Sequence, residues 1–75
     1  MNLNDRRFLQ DLGYRIRERR NALEMTQAEL AEACGLHRTF IGSVERGERN
    51  LAIISLRRLA KALHVSIQDL FSRST

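Results

Sequence analysis

The sequence predicts an all-α fold, a compact bundle of five helices forming one domain over residues 1–75. Three observations carry this reading. No segment alternates apolar and polar residues over a useful length with β-branched enrichment, so no strand is expected. Apolar residues recur instead at intervals of three, four and seven, the period of one helix face. The chain has no proline and is 43% apolar and 29% charged, which fits a small soluble core better than a sandwich or barrel needing many turns.

Leu9, Leu12, Ile16 and Leu23 mark the apolar stripe of a first helix from about Asp5 to Leu23, whose opposite face is rich in arginine. Thr26 and Glu29 meet the capping-box pattern for a second helix, with Met25 and Leu30 at the flanking staple positions. Leu30, Ala31 and Cys34 form its inward face. Gly35 stands where the chain must turn left-handed to end it, a conformation cheap only for glycine. A third helix is expected from about Arg38 to Arg46, with Ile41 and Val44 inward, Leu36 plugging the turn before it and Gly47 ending it. After the polar connection "ERNL", Ile53, Leu56, Leu59, Ala60 and Leu63 describe a fourth amphipathic helix. Ser66 and Asp69 then make a second capping box, opening a short fifth helix through Phe71.

Composition excludes several classes of function. No apolar run approaches the roughly 18 to 20 residues that cross a bilayer, and "MNLNDRRFLQ" lacks the apolar segment of a secretory signal. A cytoplasmic protein with no membrane partner is expected. Cys34 is the one cysteine, and its place between Ala33 and Gly35 on an apolar face reads as a core filler. Metal-ligand spacing and a phosphate-cradling glycine loop are both lacking, and His37 and His64 are far apart. Neither an enzyme nor a metal or cofactor is therefore expected. Thirteen basic residues against nine acidic ones leave a net charge of +4, and twelve of the thirteen are arginine. That bias suits bidentate contact with phosphate or guanine, although surface arginine also occurs without a polyanionic partner.

Two short helices joined by a tight glycine turn and packed steeply on a shared core describe a helix-turn-helix unit, here at about residues 27–46. With Gln27 as its first residue, Leu30, Ala31, Cys34, Leu36, Ile41 and Val44 fall on positions that must be buried, and Ala31 is small where the second helix crosses. The outward face of the third helix then holds His37, Arg38, Thr39, Gly42, Ser43 and Arg46. Such a face suits a DNA major groove, because arginine bonds guanine O6 and N7 in pairs and threonine offers a methyl or hydroxyl to a base edge. A solvated helix face is the plainer alternative, above all for Ser43.

Taken together, these residues resemble a known family, the repressor and Cro-like helix-turn-helix regulators of bacteria and their phages. The resemblance covers nearly the whole chain, from "LGYRIRERR" through "TQAELAEACGL" and "VERGERNL" to "LAKALHVSIQDLF". Within the family, "LHRTFIGSVERGERNLAIISL" is most similar to the small controller proteins of restriction–modification systems, which regulate their own promoter and the endonuclease gene. The resemblance implies double-stranded DNA as partner, with Gln27 at a phosphate through its side chain and the amide at the helix start. It implies base contacts from Arg38, Thr39 and Ser43, and backbone contacts from Arg46, Arg49 and Asn50. A buried or half-buried ion pair between Arg20 and Glu45, joining the first helix to the third, is implied as well. Of Arg15, Arg17 and Arg19, Arg17 is taken as a phosphate contact and the other two as a solvated face.

Departures from the family pattern also matter. His37 stands where relatives often carry Ser or Asp, so it either trades helix capping for contact with DNA bases or is merely tolerated. Ala52 replaces the usual Ser or Thr cap of the fourth helix. A unit this small reads few base pairs, so a homodimer on a two-fold site is expected, with its recognition helices about 34 Å apart. Ile54, Val65, Ile67 and Phe71 are assigned to an isologous interface, the alternative being that Val65, Leu70 and Phe71 close the monomer core. Glu32 lies on the exposed side of the second helix, where activating relatives present acidic residues to RNA polymerase. The rival class is a protein-binding module of the same fold, such as an antitoxin or adaptor. The outward set of Arg38, Thr39, Arg49 and Asn50 argues against it.

Overall fold

Helix α1 starts where Asn2 caps it. In the computed structural model, which describes residues 2–71, the Asn2 side chain accepts the Asp5 N–H at 2.8 Å and α1 runs Leu3–Ala22. The start lies two residues before the one expected from the apolar stripe, because an asparagine cap and not a buried residue sets it. The remaining elements are α2 (Gln27–Cys34), α3 (Arg38–Glu45), α4 (Ile53–Ala62) and α5 (Ile67–Phe71).

Both expected capping boxes form. Thr26 Oγ1 accepts the Glu29 N–H at 3.0 Å while Glu29 accepts the Thr26 N–H at 2.8 Å. Ser66 and Asp69 do the same at 3.0 and 3.1 Å. α3 and α4 begin at His37 and Ala52 with no side-chain cap, so packing must hold their first turns.

The first four helices end alike. Glu24, Gly35, Gly47 and His64 all have left-handed φ, between 57° and 75°. In each case the next N–H returns to a carbonyl near the helix end: Met25 to Arg20, Leu36 to Ala31, Glu48 to Ser43 and Val65 to Ala60. These are Schellman turns, which satisfy carbonyls that the helix leaves open. Four sharp turns of one kind explain how a chain without proline reverses so often in so few residues.

The helices close into a ring. α1 packs on α3 and α5, α2 on α3 and α4, and α4 on α5. Inside lie Leu12, Ile16, Leu30, Ala31, Cys34, Ile41, Val44, Leu56, Leu59, Ala60, Leu63 and Leu70, with Leu36 packed against them. Burial pushes the Cys34 thiol up in pKa, which agrees with its place as a small core residue. Ile53 departs from expectation: it is 65% exposed. It sits at the first position of α4 on the edge of the apolar stripe, beyond the reach of the facing helices.

One approach in this ring is closer than a side chain permits. A Cβ on Gly13 would lie 2.6 Å from the Glu45 carbonyl oxygen and closer still to that of Val44, so α1 rests directly on the C-terminal turn of α3. Glycine inside a helix costs about 1 kcal/mol relative to alanine, and propensity alone would favour replacing it. Here the opposing atoms are backbone and cannot swing aside, so overpacking of about 1 to 3 kcal/mol or more should win. Gly13→Ala is expected to lower the urea midpoint; a midpoint equal to or above wild type would contradict the close packing.

Candidate nucleic-acid interface

The position of α3 is set by a polar cluster as much as by its apolar face. Arg20 on α1 meets Glu45 at the end of α3 through two hydrogen bonds, Nε to Oε2 at 2.7 Å and Nη2 to Oε1 at 3.0 Å. Its third nitrogen donates to the Met25 carbonyl at 2.8 Å and to Asn21 Oδ1 at 3.1 Å. Gln27, the first residue of α2, donates its amide to Glu45 Oε1 at 3.1 Å. One guanidinium and one carboxylate therefore tie α1, the turn after it, α2 and α3 together. Both residues are 9% exposed, and the hydrogen bond to Glu45 holds the Arg20 pKa above its ordinary value against the opposing effect of burial. Among the described residues no buried side-chain nitrogen or oxygen lacks a partner, so the charge is buried in a satisfied state.

This anchored helix carries His37, Arg38 and Thr39 at its start, all exposed. Among the described residues, none of the three side chains has a hydrogen bond or ion pair within the chain. Gly42 and Ser43, expected on the same outward face, are buried. Gly42 is roofed over by the side chains of Gln27 and Arg46. Ser43 is covered for another reason. The left-handed turn at Gly47 folds the following residues back along α3, so that the Glu48 N–H reaches the Ser43 carbonyl at 2.9 Å. Arg49 Nε then donates to Ser43 Oγ at 3.3 Å, while that hydroxyl donates to the Phe40 carbonyl at 2.8 Å. The Ser43 hydroxyl thus lies between the Phe40 carbonyl and the Arg49 side chain.

The flanking polar side chains lie in several separate places. Arg17, Arg46 and Gln27 line one shallow groove above Gly42 and the Arg20/Glu45 pair. Arg46 is largely exposed and paired with Glu48 at 3.1 Å. Arg49 lies over the Phe40 ring at 5.4 Å from its centroid. Asn50 sits apart from these, beside Asp5, Phe8 and Leu9 of α1. Arg15 and Arg19 are not the solvated face expected of them. Arg19 donates to the Leu63 carbonyl at 2.8 Å and Arg15 to that of Leu70 at 3.3 Å, placing each cation at the carbonyl end of α4 or α5, where the helix dipole favours it.

Of the four residues assigned to a dimer interface, Ile54 is 54% exposed and Phe71 40% exposed. Phe71 also stacks on Phe8 within the chain, with ring centroids 5.7 Å apart. Val65 and Ile67 are half-buried and pack against the monomer core. Phe8 (52% exposed) and Leu3 (72%) add apolar surface on α1 that periodicity did not single out. Glu32 is exposed on α2. No group of three or more His, Cys, Asp or Glu side chains is arranged to hold a metal among the described residues, and none of the helices is long and apolar enough to cross a membrane.

This architecture is shared with proteins of known kind. The helix-turn-helix family model (HTH_3) matches residues 16–70. Control protein C.SmaI of Serratia marcescens is 50% identical over 62 residues, which cover 83% of this chain and 74% of its own. The crystal structure of the restriction-modification controller protein C.AhdI from Aeromonas hydrophila has a TM-score of 0.82 at 41% identity, covering 84% of this chain and 96% of that one. The biofilm master regulator SinR, solved in complex with DNA, has a TM-score of 0.77 at 31% identity, covering 81% of this chain and 98% of its own.

The Arg20/Glu45 and Arg46/Glu48 pairs should respond very differently to loss of a partner. Glu45→Gln leaves the Arg20 charge buried without its carboxylate, and a loss of about 3 to 5 kcal/mol in unfolding free energy is expected. Glu48→Gln breaks an exposed pair and should change stability by less than about 1 kcal/mol. Chemical denaturation of both variants checks this, and comparable losses would show that the Arg20/Glu45 pair does not hold the interface together.

Proposed function

The chain belongs to the helix-turn-helix family, and on that premise we propose that it is a sequence-specific DNA-binding transcriptional regulator that acts as a homodimer on a palindromic operator. The start of α3 enters the major groove. Arg38 bonds a guanine edge, Thr39 contacts a neighbouring base, and His37 lies beside them at the helix entrance. Arg17, Arg46, Arg49 and Asn50 meet phosphates. The Gln27 and Ala28 amides at the start of α2 do the same beside the Gln27 side chain, the Glu29 N–H being taken by the Thr26 cap. The observation that carries this reading is the contrast within α3: its last turn is locked to two other helices, α1 and α2, while Arg38 and Thr39 at its first turn are exposed and uncommitted.

The likeness to C.SmaI and C.AhdI supports a narrower role as a controller of a restriction–modification system that regulates its own promoter. Symmetry follows from size. One recognition helix of eight residues contacts few base pairs, and pairing two copies about one helical turn of DNA apart supplies the remaining affinity and specificity. Ile54 and the outer edge of Phe71 are the apolar surface assigned to that pairing, with Ile53 adjoining in sequence.

Binding measured on a duplex selected from a random pool, and on mixed-sequence DNA, tests the residue roles. Arg38→Ala should lose about 1 to 3 kcal/mol on the selected duplex only, whereas Arg49→Ala should weaken both duplexes alike and lower the salt slope by about one. Equal losses on both duplexes for Arg38→Ala would overturn its assignment to a base. Sedimentation equilibrium should show a dimer that Ile54→Glu weakens; wild-type monomer at high micromolar concentration would remove the symmetric operator.

A further inference from the structure

We propose that Phe40 is a positioning residue for Arg49: its ring and the Ser43 hydroxyl together hold the Arg49 guanidinium in place before any nucleic acid arrives. The inference rests on the reading of Arg49 as a phosphate contact. Phe40 is half-buried on α3, one residue beyond Thr39, and packs against the core. Its ring lies 5.4 Å from the Arg49 guanidinium carbon, within the range of an attractive cation–π contact. Arg49 Nε simultaneously donates to Ser43 Oγ, whose own proton goes to the Phe40 carbonyl. The hydroxyl is thereby turned so that a lone pair faces Arg49. Two groups one turn apart on α3 thus grip one side chain from the following loop.

The consequence for binding follows from what an arginine gives up on contact. A long exposed side chain loses rotamer freedom when it pairs with a phosphate. A guanidinium already stacked and hydrogen-bonded has lost part of that freedom during folding. Nε and one ring face are occupied, and the terminal Nη nitrogens have no bond within the chain among the described residues. They are the donors that bond phosphate oxygens. Phe40 and Ser43 therefore act on DNA through Arg49, and the burial of Ser43 is part of the same arrangement.

The test is a double-mutant cycle on mixed-sequence duplex at fixed salt, using wild type, Phe40→Leu, Phe40→Trp, Arg49→Ala and the Phe40→Leu/Arg49→Ala pair. Phe40→Leu is expected to weaken binding about two- to fivefold, the effect of an exposed cation–π contact, and to have no further effect once Arg49 is alanine. Phe40→Trp should restore wild-type affinity. In the free protein, NMR should show upfield ring-current shifts at the Arg49 δ and ε protons that persist in Phe40→Trp and vanish in Phe40→Leu. Should Phe40→Leu fail to fold, Ser43→Ala keeps the ring and removes the Nε acceptor; its loss of affinity should likewise disappear in the Arg49→Ala background. A Phe40→Leu or Ser43→Ala loss that stays the same without Arg49, or an Arg49 shift indifferent to Phe40, overturns the proposal. An Arg49→Ala variant that binds like wild type overturns the phosphate assignment itself, a different result from additivity.

Discussion

The buried contact between Arg20 and Glu45 is the constraint on which the geometry of the interface depends. A helix of eight residues is marginal by itself, and α3 lacks a side-chain cap at His37. Its orientation therefore comes from elsewhere: from Ile41 and Val44 in the core, from the carbonyls of its last turn lying directly on Gly13, and from Glu45 held by both Arg20 and Gln27. The apolar contacts supply stability without strict direction. The bidentate pair and the glycine contact add direction, since a guanidinium fork accepts a carboxylate in one plane and a glycine groove accepts a backbone at one height. The effect is to stiffen the end of α3 nearest the scaffold and leave the other end open.

Arginine serves two purposes in this chain, and net charge does not separate them. Arg15, Arg19 and Arg20 are bound to carbonyls or to Glu45 and belong to the fold. Arg17, Arg38, Arg46 and Arg49 are exposed around α3, and the proposed DNA contact rests on them. Helix α1 supplies members of both groups from different faces: Arg15 and Arg19, four positions apart, share the side that meets α4 and α5, and Arg17, two positions from each, points nearly the opposite way.

Much of the fold was legible in local patterns. Thr26 with Glu29, Ser66 with Asp69, and Gly35 each carry their structural instruction within four residues, and all three act as expected. The buried set of Leu30, Ala31, Cys34, Ile41 and Val44 followed from the spacing of one motif. What could not be read depends on residues distant in sequence or on the ends of periodic runs. Arg19 and Arg15 find their acceptors 44 and 55 positions away. Ser43 is covered by a loop whose path depends on the turn at Gly47, and Gly13 is required by a carbonyl on another helix. Ile53 matched the apolar period yet faces solvent, since periodicity gives the direction of a side chain and not whether anything lies opposite it. Asn2 was missed because its capping signal precedes the apolar stripe by several residues.

The proposed function requires that Arg38 be delivered to a guanine in the major groove by a helix fixed at its far end, in two copies related by symmetry. Methylation interference on a selected duplex measures this directly, because methylation at guanine N7 blocks the acceptor that arginine uses. The expected pattern is one interfering guanine at matching positions in each of two half-sites about one helical turn apart, with Arg38→Ala removing sensitivity at that guanine alone. The absence of any interfering guanine, or a guanine pattern unchanged by Arg38→Ala, would contradict it.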